Sequence, residues 1–183
     1  MSEILIAFFS STGNNRYIAN RFAKELQCDI EEIKPRFDFH VYLFVASRYP
    51  WLYLGNNPLM HLPAGYRKVV LCGPIWMGSY LAPLRSFVIN YGGDINQLYF
   101  VTCCGSSEEN SKSKYGYESV FSELKNTSTN RSIQCYPLSM SLVVPDAQKD
   151  DNETIMKARL SDENFSGEML NRFNEIKKRI ASD

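Results

Sequence analysis

Ile4-Leu5-Ile6-Ala7-Phe8-Phe9-Ser10-Ser11-Thr12-Gly13-Asn14-Asn15-Arg16-Tyr17-Ile18-Ala19 passes from an unbroken apolar run, through hydroxyls, one glycine and two amides, directly into a helical pattern. The run has no polar alternation, which predicts a central parallel strand covered on both faces. Ile18, Phe22 and Leu26 then recur every four residues, with Arg16, Asn20, Lys24 and Glu25 between them, as the stripe of an amphipathic helix. The turn therefore opens a helix. There the first amide hydrogens have no partner inside the helix, and the summed peptide dipoles favour an anion such as phosphate. Ser10, Ser11 and Thr12 can donate hydroxyl hydrogens, and Gly13 lets the backbone approach an anion closely. The same residues also suit an ordinary helix capped by Ser11 or Thr12.

Spacing excludes the rival phosphate loops. The turn holds one glycine, where the dinucleotide fingerprint needs three, and no Gly-Lys-Ser/Thr follows to make a nucleoside-triphosphate loop. A strand ending in serines also lacks the acidic pocket of a receiver domain. A mononucleotide remains as the expected ligand.

Ser10-Ser11-Thr12-Gly13-Asn14-Asn15 resembles the flavodoxin signature Thr/Ser-x-Thr-Gly-x-Thr, which wraps the phosphate of FMN, with Asn15 in place of the last Thr. A second buried strand, Lys68-Val69-Val70-Leu71-Cys72, runs into Gly73-Pro74-Ile75-Trp76-Met77-Gly78-Ser79. That segment is similar to the flavodoxin loop Gly-x-Pro-x-Trp-x-Gly, whose aromatic ring stacks on the isoalloxazine; Trp76 supplies a flat apolar surface for a flat ligand. A third segment, Gln97-Leu98-Tyr99-Phe100-Val101-Thr102-Cys103-Cys104-Gly105-Ser106-Ser107, is similar to Phe-x-Thr-x-Gly-Gly, with Cys104 in place of the first glycine. The resemblance implies FMN as cofactor. It implies that Ser10, Ser11, Thr12, Gly13, Asn14 and Asn15 hold the phosphate, that Pro74, Ile75, Trp76, Met77 and Gly78 face the ring, and that the backbone of Thr102, Cys103, Cys104 and Gly105 reaches its edge. In that family the peptide beside the stacked aromatic reorients toward the flavin N5, which places redox tuning at Met77 and Gly78. Three loops at the carboxyl ends of parallel strands converge on one crevice in doubly wound sheets.

The 183 residues, 44% hydrophobic, fit one domain with a full core, expected as a single flavodoxin-like domain over 1–183. The implied architecture is a three-layer α/β sandwich, a five-stranded parallel sheet in the order 2-1-3-4-5 with helices on both faces. Twenty Lys plus Arg balance twenty Asp plus Glu, which argues against a nucleic-acid footprint or a membrane-steering face. Diffusible flavodoxins are typically acidic, and this chain departs from that. The polar start and short apolar runs imply no signal peptide and no membrane span, hence a soluble, cytoplasmic protein. Five cysteines without a Cys-x-x-Cys pair fit reduced thiols better than a disulfide frame or a metal site.

Further strands are expected near Asp29 to Lys34 and Ile133 to Leu142, flanking those at Lys68 to Gly73 and Leu98 to Thr102. One helix carries Leu81, Leu84, Val88 and Tyr91, with Pro83 in its first turn and Gly92-Gly93 at its end. Another carries Tyr117, Val120, Phe121 and Leu124, and the last starts near Ser166, with Met169, Leu170, Phe173, Ile176 and Ile180 on one face. Two insertions fall outside this plan. The first groups Phe37, Phe39, Tyr42, Phe44, Tyr49, Trp51 and Tyr53 with Arg36, Arg48 and His40; it suits a helix packed on the sheet, a wall for the flavin, a seat for an aromatic substrate such as a quinone, or a homodimer contact. The second, Val143 to Asn164, is long and polar, with Asp146, Lys149, Asp150, Asp151 and Asn152, and suits a lid or plain surface.

No catalytic residue is expected beyond the cofactor site, because bound flavin carries out the electron or hydride transfer. No Gly-x-Ser-x-Gly frames a serine, and His40 and His61 have no partner pattern. A thiol relay at Cys103-Cys104 is disfavoured, since adjacent cysteines form strained rings. Three functions stay open. An electron carrier exchanging electrons with partner proteins is favoured by size and the tryptophan. An NAD(P)H-dependent quinone or flavin reductase is favoured by neutral charge and by a ring face that only Tyr115 or Tyr117 could cover. A noncatalytic flavin-binding sensor is the third.

Overall fold

The computed structural model describes every residue except Met1, Asp38, Pro50, Trp51, Tyr53, Leu54, Arg131, Asp150 and Asp183, and His40 through its backbone alone. The parts of the two insertions at Trp51, Tyr53 and Asp150 lie outside the described residues. Strand β1 (Ile4–Phe8) runs between β2 (Asp29–Glu32) and β3 (Lys68–Cys72), both parallel to it. Beyond β3 come β6 (Gln97–Cys104) and β7 (Ile133–Ser139), again parallel, so the sheet order is β2-β1-β3-β6-β7. Counting only these five strands, that is the expected 2-1-3-4-5. A separate antiparallel hairpin, β4 (Ile75–Trp76) and β5 (Ser79–Tyr80), stands off the end of β3.

The pleat sends Leu5 and Ala7 to one face and Ile6 and Phe8 to the other. The first face packs on α2 (His40–Arg48), α3 (Ala82–Tyr91) and α4 (Tyr117–Thr127) through Leu43, Leu84, Phe87, Val120 and Leu124. The second packs on α1 (Asn14–Leu26) and α6 (Gly167–Ser182) through Ile18, Phe22, Phe173 and Ile176, with the Phe22 and Phe173 rings stacked at 4.3 Å. Each such side chain taken from water contributes about 1.5–3 kcal/mol. This burial on both faces explains why β1 and β3 carry apolar runs without alternation.

Two buried cations fasten helix ends. Lys68 Nζ donates to Ile180 O at 2.7 Å, in the last turn of α6. Arg85 donates to the carbonyls of Ala46 and Ser47 at the end of α2. Both place positive charge where unpaired carbonyls and the helix dipole favour it.

Local chemistry moves some boundaries. The last sheet strand stops at Ser139 rather than Leu142, because the Ser139 hydroxyl accepts the Ser141 N–H at 3.2 Å and starts a 3-10 turn over Met140–Val143. Helix α3 ends at Tyr91 as expected, though by tightening into a 3-10 turn, with Gly92 at φ −57° instead of a left-handed cap. The aromatic insertion forms α2, which packs through Leu43, Ala46 and Ser47, whereas Phe39 (71% exposed) and Val41 (78%) face away from the core. The helix was legible, but most of its rings do not make its buried face. They line an apolar groove of about 440 Å³ bounded by Phe37, Phe39, Val41, Tyr42 and Val45. Among the described residues, no helix is long and apolar enough to cross a membrane.

Candidate functional site

Register along the sheet aligns the three loops. Phe8 pairs with Cys72 and Cys72 with Val101, so the chain beyond β1, β3 and β6 emerges side by side at the carboxyl edge, where doubly wound sheets bind ligands.

The first loop holds a helix start without a protein cap. Gly13 occupies the cap position at φ 95°, ψ −23°, and no side chain caps α1. The ordinary cap by Ser11 or Thr12 is therefore not the arrangement found; instead the Gly13 N–H donates to Ser10 Oγ at 3.1 Å. The first intrahelical bond is Tyr17 N–H to Gly13 O, so the amide hydrogens of Asn14, Asn15 and Arg16 precede the ladder. A Cβ at Gly13 would meet nothing within 4 Å, and the first turn of α1 holds no acidic residue. Open space, free donors and absent negative charge suit a phosphate.

Both asparagines turn inward. Asn15, 2% exposed, accepts the Cys103 N–H on its Oδ1 at 2.9 Å and so ties the first loop to the third. Asn14 reaches sideways: its Nδ2 donates to Ala158 O at 3.1 Å, and its Oδ1 accepts from Leu160 N–H at 3.0 Å. Ser10 and Ser11 stay half-exposed and Thr12 exposed at the mouth.

In the second loop, Gly73 lies against Leu84, whose side chain would have to shift to admit a Cβ, 2.4 Å from Cδ1. Pro74 is buried, Ile75 and Trp76 are half-buried against the core, and Met77 and Gly78 form the hairpin turn at φ 47° and 74°. Positive φ at both central residues is the geometry that matches strand twist in two-residue hairpins. Gly78 is doubly constrained, because a Cβ would also lie 2.4 Å from Lys114 O. The segment before α4 thus lies against the hairpin. Tyr115 stands exposed beside Gly78, whereas Tyr117 is buried at the start of α4 with its ring 5.3 Å from Phe121.

In the third loop, Thr102, Cys103 and Cys104 are buried and Gly105 is half-buried. Thr102 Oγ1 is buried without a hydrogen-bond partner. Burial pushes the Cys104 thiol up to about 12 and raises Cys103 well above its ordinary value. Neither is a thiolate near neutral pH, and nucleophilic thiol chemistry has no support here.

The second insertion reaches this edge. It contains the short helix α5 (Asn152–Lys157), whose Ile155 is buried, and Met156 Sδ would be 3.1 Å from a Cβ at Gly105. The length and polarity of 143–164 marked it as unusual, but no motif announced that Asn14 would fasten it. His61 has a structural place: the single Tyr66 hydroxyl hydrogen goes to Asp29 at 2.8 Å, so His61 Nδ1 donates to Tyr66 O at 3.0 Å. Among the described residues no group of His, Cys, Asp and Glu is arranged to hold a metal.

The sheet order and layering define a flavodoxin-like α/β sandwich. No family model and no curated protein matches the sequence. Among solved structures, the chain is similar to a flavoprotein from Lactobacillus acidophilus NCFM crystallised in complex with FMN, at TM-score 0.61 and 12% identity over 84% of this chain and 99% of that one. It is also similar to a flavodoxin from Streptococcus pneumonia TIGR4, at 0.50 and 14% over 98% and 97%. An NADPH-quinone reductase from P. pentosaceus superposes at 0.53 and 9% identity over 100% and 99%. At these identities the likeness concerns the fold.

Proposed function

We propose that this protein binds FMN at the carboxyl edge of its sheet and carries electrons between partner proteins through it. The observation that carries the reading is the uncapped start of α1, with Gly13 open above it, at the same end of the sheet as the Trp76 hairpin and the 102–105 segment. The residues present fit the cofactor. Amide hydrogens of Asn14, Asn15 and Arg16 and the hydroxyls of Ser10, Ser11 and Thr12 would hold its phosphate, and Trp76 would offer a flat apolar face to its ring. Bound flavin supplies the redox chemistry by accepting and releasing electrons. The chain would position it: Asn15 ties the first turn of α1 to Cys103 in the third loop, and the Met77-Gly78 turn would offer its backbone to the ring. Buried, protonated thiols at Cys103 and Cys104 keep competing sulfur chemistry away from that edge.

A second reading, an NAD(P)H-dependent quinone or flavin reductase, is favoured by one feature. Helix α2 contacts β5 of the Trp76 hairpin, and the aromatic groove on its outer side would give a planar substrate an apolar seat. Anaerobic reduction of the FMN-loaded protein separates the two. Two resolved one-electron steps in a chemical titration, with no reduction by NADH or NADPH, support the carrier. Rapid two-electron reduction by a nicotinamide with quinone turnover supports the reductase, and failure to bind FMN in calorimetry defeats both.

A further inference from the structure

Asn14 spends its whole carboxamide on a segment 144 residues away. Amide nitrogen and oxygen engage Ala158 O and Leu160 N–H, the alternate-residue pattern by which one strand grips another. The group is 7% exposed. Arg159, between the two gripped residues, is itself exposed.

Its guanidinium is held in one orientation. Nη1 donates to Met156 O at 3.0 Å and to Ala158 O at 2.9 Å, using both of its hydrogens. The Nε and Nη2 edge keeps three hydrogens in the planar fork that suits a phosphate. Ala158 O also receives the Asn14 side-chain Nδ2 at 3.1 Å, so Arg159 Nη1 and that carboxamide nitrogen, carried by the first residue of α1, lie at most about 6 Å apart. Neighbouring charges are committed elsewhere. Arg16 pairs with Glu32, and Asp162 accepts from Tyr17 and Arg21. Among the described residues, no carboxylate pairs with Arg159.

We propose that the segment 143–164 is a strap that presents Arg159 to the phosphate of the bound flavin, making this residue the determinant that selects the phosphorylated cofactor over riboflavin. The inference rests on the FMN reading above. It gives the insertion a task and supplies the cation that the hydroxyl-rich loop lacks. The Asn14 side chain acts in positioning, because the carboxamide holds the strap while the backbone N–H of the same residue is left to the ligand.

The test is a pair of binding isotherms, for FMN and for riboflavin, on wild type, Arg159→Gln and Arg159→Lys at two salt concentrations. Arg159→Gln is expected to weaken FMN by roughly tenfold, the size of one charge-assisted contact, to leave riboflavin unchanged, and to flatten the salt dependence. Arg159→Lys should recover part of the loss by charge alone. Asn14→Ala should weaken FMN selectively too, with faster amide exchange at 158–160. Unchanged FMN affinity in Arg159→Gln, or equal losses for FMN and riboflavin, overturns the proposal while leaving FMN binding intact. Wild-type protein that binds neither flavin overturns the parent reading and this one together.

Discussion

Asn15 Oδ1 and Cys103 N–H meet at 2.9 Å across 88 residues of sequence, and this bond joins the loop after β1 to the strand end of β6. Cys103 is buried, so its amide hydrogen has no water to fall back on.

Asn15→Ala is expected to lower stability by about 1–3 kcal/mol, the cost of stranding a buried donor. Chemical denaturation of the flavin-free protein measures it. Asn15→Asp keeps the acceptor and should retain most of that stability, yet it places negative charge at the helix start and should weaken FMN. Equal stability in wild type and Asn15→Ala would show that the loops do not depend on the bond.

The hairpin turn predicts opposite signs at adjacent positions. Gly78→Ala forces a side chain into φ 74° and onto Lys114 O at 2.4 Å, and should cost at least the ~1–2 kcal/mol of left-handed strain. Met77→Asn places a residue that tolerates φ 47° at an exposed site, and should be neutral or slightly stabilising. Melting temperatures of the two variants check the contrast.

Trp76→Ala should raise the Kd for FMN by about tenfold or more, from lost burial and stacking. Flavin fluorescence, quenched on binding to wild type, should recover in the variant. Strong quenching retained without the indole would place another ring against the flavin.

Thiol reactivity tests the burial of the third loop. Burial raises Cys72, Cys103 and Cys104, the last to about 12, and holds the half-buried Cys28 and Cys135 near 11. At pH 8 a thiol reagent should therefore label the native protein slowly and the denatured protein fast. Fast native labelling at Cys103 or Cys104 would reveal an open thiolate at the site.

Glu25 gives a pH dependence with a defined sign. The hydrogen bond from Lys177, helped by Arg21, lowers its carboxyl below the ordinary 4.5. A depressed acid contributes stability above the unfolded value and loses it as pH falls through the folded value. Glu25→Gln should cost about 0.5–1 kcal/mol at pH 7, with the gap closing toward pH 3. A gap that widens on acidification would contradict the pairing.

Local rules made much of this legible. Apolar runs without alternation at 4–8 and 68–72 marked buried parallel strands, because only a sheet covered on both faces hides both sides of the pleat. Stripes at Ile18 and Phe22, and at Phe173 and Ile176, marked the helices that cover it. The hydroxyl-glycine turn and the Trp76 loop follow β1 and β3 at the carboxyl edge of the sheet, as their place in the sequence implied. The resemblance placed Asn14 and Asn15 in a phosphate loop, with the Asn15 amide as a donor; in the structure the Asn14 carboxamide grips Ala158 and Leu160, and Asn15 Oδ1 accepts from Cys103. Nothing in their types or spacing distinguishes an amide aimed at a ligand from one aimed at a distant backbone.

Periodicity and turn chemistry, which act within a few residues of chain, thus determined the five sheet strands and the main helices that cover them, whereas the order of the strands in the sheet came through the resemblance. Contacts between distant segments were decided only by folding: the strap over Gly105, the backbone of Lys114 against Gly78, and the Asn14 side chain on the backbone around Arg159. The physical reason is that a local pattern fixes which face of an element is apolar, whereas the partner of a polar group depends on which distant backbone arrives within about 3 Å.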